Sequence, residues 1–108
     1  MIQFIISTFG DTEAASRVAR ALVEESLAAC GTLLPEATSI YRWQGRVEQV
    51  SEVVLILKTS EATAEACRQK LEQLHPYDVP EIITLSPSAV SEAYGAWVLE
   101  SCPTSPGV

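Results

Sequence analysis

The order of apolar patterns along the chain predicts an α+β domain on the split-βαβ, ferredoxin-like plan: strand, helix, two strands, helix, strand and a terminal helix. Three observations carry this. The chain opens on a nearly unbroken β-branched run, its two crossover segments repeat apolar residues at helical spacing, and between them lies one very long extended pair around a Gln-Gly turn. A length of 108 residues fits one domain, expected over residues 1–102, with residues 103–108, Pro-Thr-Ser-Pro-Gly-Val, expected as a disordered tail. No internal repeat is present.

Residues 2–8 are almost continuously apolar, which suits a strand buried in the middle of a sheet. Phe9-Gly10-Asp11 reads as a turn with a helix cap. Val18, Leu22 and Val23, with Ala15 and Ala19, then extend helical spacing to about Ala29 and leave Glu13, Arg17, Arg20 and Glu24 on the wet side. From Cys30 to Trp43 the pattern is extended, with a bulge or edge expected at Pro35, whose missing N–H interrupts a ladder. Gln44-Gly45 turns the chain, and residues 46–59 run back into the core through Val53-Val54-Leu55-Ile56-Leu57.

Ser60 caps a second helix carrying Ala64, Cys67, Leu71 and Leu74 at alternating steps of three and four. Pro76 and Pro80 exclude helix from residues 75–80. Residues 81–85 form the fourth strand and residues 88–101 the last helix, with Tyr94, Trp97 and Val98 on one face. The four strands form an antiparallel sheet with both crossover helices on one side, so the other side needs a cover. Hairpin arms of about 14 residues at roughly 3.3 Å each reach on the order of 45 Å, and a chain of this size has a radius of gyration near 13 Å, so the hairpin must overhang its domain. An overhanging apolar hairpin calls for a neighbouring subunit.

Fourteen acidic against seven basic side chains give a formal charge of −7, which repels nucleic acid and anionic membrane. The opening run has no basic flank and is only a few residues long, so it is expected as a strand and not as a signal peptide or membrane span. Cys30, Cys67 and Cys102 are odd in number and form no Cys-x-x-Cys pair, which fits a reducing, cytoplasmic location.

Thr38-Ser39-Ile40-Tyr41-Arg42-Trp43-Gln44-Gly45, Glu52, Lys58-Thr59 and His75-Pro76-Tyr77-Asp78-Val79-Pro80-Glu81 occur in an order and spacing that resembles the CutA divalent-cation tolerance family. The match extends over residues 2–100 and takes in Ala28-Ala29-Cys30, Tyr94 and Trp97. The resemblance implies a cytoplasmic homotrimer of ferredoxin-like subunits, associated with copper tolerance and with binding of divalent metal cations. It also implies an architecture similar to the PII signalling trimers, so a small-ligand signalling trimer without a metal role is the alternative. Members described as copper binders look to carry a cysteine at the end of the first strand and histidines just before Pro-Tyr. The matching positions here are Ser7, Leu74 and His75, and only His75 is a strong ligand. Thr32 stands where asparagine is common and Glu36 where glycine is common.

His75, the only imidazole, lies in a proline-stiffened loop and is the candidate metal ligand, suited to Cu(II) or Zn(II) with help from carboxylates or other subunits; its bland alternative is a hydrogen-bonded structural role. Tyr77, Asp78 and Glu81 are candidates to join it in a polar cleft, with Tyr94 and Trp97 as the wall that the resemblance suggests. Glu52 and Lys58 are six residues apart on one strand and should share a face, as an ion pair or an intersubunit polar site. Trp43 at the hairpin tip is expected to serve assembly. Cys30 and Cys67 are expected in the core, and Cys102 as an exposed, reactive thiol. No nucleophile elbow, Arg-bearing phosphate loop or Cys-x-x-Cys is present, so no enzymatic activity is expected.

Overall fold

The computed structural model describes residues 1–103. The expected tail lies, beyond Pro103, outside the described residues. The elements run β1 (Ile2–Phe9), α1 (Thr12–Glu24), β2 (Cys30–Trp43), β3 (Arg46–Ser60), α2 (Glu61–Leu74), β4 (Ile82–Leu85) and α3 (Glu92–Ser101). The four strands lie in the order β2-β3-β1-β4, and every neighbouring pair is antiparallel, as the split-βαβ plan requires.

The core lies between the sheet and the first two helices. Ile5 and Phe9 of β1 and Val53, Leu55 and Leu57 of β3 alternate onto that face, where they meet Ala15, Val18 and Leu22 of α1 and Cys67 and Leu71 of α2. Asp11 caps α1 by accepting from the Ala14 N–H at 2.7 Å, and Ser60 caps α2 by accepting from the Thr63 N–H at 3.2 Å. The sequence ran α1 on to Ala29, but it ends at Glu24. Ser26 turns left-handed at φ 60, and the N–H groups of Leu27 and Ala28 both donate to Leu22 O. This turn brings Leu27 and Ala28 against the core, where a continued helix would carry them past it.

Proline and glycine placement shape the hairpin. Gln44 and Gly45 both take positive φ, 52 and 80, which is the two-residue turn whose twist matches the strands. The β2–β3 register slips by one residue between Leu34 and Ala37, next to Pro35, with Glu36 at φ 62. Because successive side chains alternate, this bulge changes which residues of β2 share a face with the even-numbered residues of β3. Before it these are Thr32 and Leu34, opposite Ile56 and Val54; after it they are Ala37, Tyr41 and Trp43, opposite Glu52, Glu48 and Arg46. The molecule measures 47 × 28 × 22 Å with a radius of gyration of 14.6 Å, drawn out as the hairpin length predicted.

Away from α1 and α2 the sheet is only partly covered. α3 packs Val98 and Cys102 against Ile2 and Phe4 at one end. Leu34, Ile83 and Leu85 remain 48%, 47% and 47% exposed beside the half-buried Val54 and Ile56. Two cysteine expectations change here. Cys102 is buried at the end of α3, 3.8 Å from Thr59 Oγ1, because that helix docks its last turn instead of releasing it. Cys30 is half-buried on the open face beside Lys58, not inside the core.

Candidate functional site

A recess of about 430 Å3 opens where the hairpin leaves the body of the domain. The bulge in β2 places Tyr41 and Trp43 on the face that carries Glu52 of β3, and the loop after α2 adds Tyr77, Asp78 and Glu81. Thr8, at the end of β1, contributes the buried side.

His75 fixes this loop. Its ring stacks on Phe9 with centroids 4.2 Å apart and an interplanar angle of 19°. Nδ1 accepts from the Tyr77 N–H at 3.1 Å, so the ring proton sits on Nε2, which donates to Thr8 O at 2.8 Å. Burial holds the imidazole pKa below its ordinary value, against the opposing pull of the Thr8 carbonyl and Glu52. Tyr77 is thereby aimed at β3, where its hydroxyl donates to Glu52 Oε2 at 3.1 Å. Burial first, and that carboxylate second, push the phenol up to about 12, so it stays a neutral donor.

The cleft expected from the sequence divides into two places. Tyr77, Asp78 and Glu81 meet in the recess with His75 behind them, and Glu52, read from the sequence as a partner of Lys58, joins them. Lys58 shares the face of Glu52, but six residues at roughly 3.3 Å put it about 20 Å along the strand, and the two form no ion pair. Lys58 Nζ donates instead to Thr32 Oγ1 and lies 3.8 Å from Cys30 Sγ. Tyr94 and Trp97 pack on each other, with centroids 5.6 Å apart, and do not wall the recess. Trp97 borders a separate depression with Ala19, Cys30 and Leu33, because α3 crosses the opposite end of the sheet. Tyr41 was missed as a lining residue, since its face depends on the one-residue slip; Pro35 was the available signal. Trp43, expected to serve assembly, is a wall of the recess and is 50% exposed in the single chain.

The residues of one chain do not fit a transition-metal centre. Both nitrogens of His75 are engaged, and no three His, Cys, Asp or Glu side chains converge to hold an ion among the described residues.

Comparison with known proteins places the chain among sequences and structures that match it over nearly its whole length. Residues 3–101 match the family model described as CutA1 divalent ion tolerance protein. The chain is 40% identical over 101 residues to a divalent-cation tolerance protein CutA of Thermus thermophilus, covering 94% of this chain and 98% of that one. The crystal structure of CutA from Xylella fastidiosa superposes with a TM-score of 0.91 at 39% identity, covering 94% and 98% of the two chains. A CutA from Archaeoglobus fulgidus, described as a periplasmic divalent cation tolerance protein, gives a TM-score of 0.90 at 29% identity over 95% of this chain and all of that one. With a family model matched over residues 3–101 and relatives matched across nearly their whole length, the chain belongs to the CutA1 divalent ion tolerance family.

Proposed function

We propose that the chain acts in divalent-cation tolerance as a non-enzymatic homotrimer in the cytoplasm, joined through the open face of its sheet. The exposed row of Leu34, Ile83 and Leu85 beside Val54 and Ile56 carries this reading. A contiguous apolar surface next to a projecting hairpin is what a second copy covers, and closed symmetry satisfies every copy alike. The number three comes from the family resemblance. The three unpaired thiols support a reducing location.

The buried Cys67 thiol, pushed up to about 12 mainly by desolvation, is the reverse of an activated nucleophile and supports a non-enzymatic role. Copper enters as the ion tolerated. We assign His75 to the loop's architecture and no step to a metal on it, because either nitrogen would first have to abandon a hydrogen bond. A PII-like nucleotide site is less well supported, since the recess presents carboxylates where phosphates need basic groups.

The test is an open-face charge, Ile56→Asp, with Leu85→Asp on the short edge strand as a second variant. Both should lower the assembled mass and fail to restore copper tolerance to cells lacking the protein. Full restoration by a folded monomer would contradict the proposal.

A further inference from the structure

Three aromatic rings, Tyr41, Trp43 and Tyr77, and three carboxylates, Glu52, Asp78 and Glu81, line the 430 Å3 recess, and no lysine or arginine shares its walls. We propose that this recess binds a small organic ammonium ion, seated on the aromatic faces with the carboxylates around it. The inference does not rest on metal tolerance or on the number of subunits.

The groups present exclude the other ligand classes one by one. An anion would meet three carboxylates and no cationic side chain. A neutral apolar molecule would have to displace water from those carboxylates without replacing its hydrogen bonds. A bare divalent ion needs several oxygens within about 2.0–2.6 Å of one point, and no three of the acidic side chains converge in that way among the described residues. An alkylammonium ion spreads its charge over several ångströms and is attracted to the faces of Trp and Tyr. It therefore matches carboxylates that do not converge on one point and aromatic rings that line the same recess.

The negative charge is also uncompensated. None of the ion pairs among the described residues involves Glu52, Asp78 or Glu81. Tyr77 donates to one oxygen of Glu52 and leaves the other available, while the stack of His75 on Phe9 keeps Tyr77 in place. The volume falls within the range of about 300–1,000 Å3 common for small-molecule sites, enough for an ammonium head with a short substituent.

The test is isothermal titration of the purified full-length oligomer with choline, with 1,4-diaminobutane, and with 3,3-dimethylbutan-1-ol, the uncharged isostere of choline, at fixed ionic strength. Quenching of Trp43 fluorescence supplies a second readout. At least one of the two ammonium compounds should bind saturably, and the alcohol at least about tenfold more weakly. Trp43→Leu and Asp78→Asn should each weaken the ammonium about tenfold or more; the second change lies on an exposed loop and keeps the test valid if the first disturbs the hairpin. Equal binding of choline and its isostere would overturn the proposal. So would the absence of saturable binding by either ammonium compound up to about 10 mM, or displacement of both by Mg2+ or Zn2+ at lower concentration, which would assign the recess to an inorganic cation. None of these outcomes alters the mass or the copper phenotype that test the family role.

Discussion

His75 Nε2 donates to the carbonyl oxygen of Thr8, 2.8 Å away and 67 residues earlier in the chain. That bond, with the one from the Tyr77 N–H to Nδ1, ties the loop after α2 to the end of β1. Replacing the ring should therefore cost stability. His75→Ala removes both bonds and the stack on Phe9, leaves Thr8 O unpaired in a buried position, and is expected to destabilise the fold by about 2–3 kcal/mol in urea denaturation. In a parallel copper titration its affinity should match that of the wild type. A loss of copper affinity without loss of stability would return His75 to the role of ligand.

The same burial sets a pH dependence. His75 has a folded pKa below its ordinary 6.5, so the unfolded chain binds the proton more readily than the fold does. The contribution is intact above about pH 6.5 and is lost as pH falls through the folded value. Thermal melts should show Tm dropping below pH 6.5, and His75→Gln should flatten that part of the curve from a lower starting point.

Tyr77 moves the other way. Its phenol, pushed up to about 12, contributes stability that is present below the ordinary value near 10 and lost as pH rises through 12. Ultraviolet titration should show a late step belonging to Tyr77, which Tyr77→Phe removes and Glu52→Gln moves to lower pH.

Glu36 sits at φ 62 in the bulge, a conformation that costs a side-chain-bearing residue roughly 1–2 kcal/mol. Glu36→Gly should raise the unfolding free energy by about 0.5–1 kcal/mol, the gain being reduced by the greater freedom of glycine in the unfolded chain. A fall in stability would show that the bulge is held by contacts of the Glu36 side chain.

Much of the fold was legible because its local signals agree with one another. Asp11 and Ser60 cap the helices that the apolar spacing of Val18-Leu22 and Cys67-Leu71 requires, and Gln44-Gly45 dictates a hairpin whose length forces the 47 Å axis. What escaped the sequence depends on contacts between distant segments. The early end of α1 follows from Leu22 O receiving two N–H groups beyond a left-handed Ser26. The burial of Cys102 follows from α3 docking on Ile2. Tyr77, Asp78 and Glu81 were expected to share a cleft with His75, and the proline-confined loop brings them to one recess; Glu52, expected only to share a strand face with Lys58, lines it too. Lys58 was tied to Glu52 by strand spacing and lies further along β3, while Tyr94 and Trp97 were added by resemblance and sit on α3, away from the recess. Tyr41 was hidden by parity, since a single bulged residue decides which side of the hairpin it faces.

The central claim is that the open face is a contact between copies, and multi-angle light scattering on the purified wild type tests it most directly. The account predicts a mass of three times the 11.7 kDa chain, constant over micromolar dilution. A mass of 11.7 kDa across that range would contradict it, leaving Leu34, Ile83 and Leu85 exposed with no partner of their own kind.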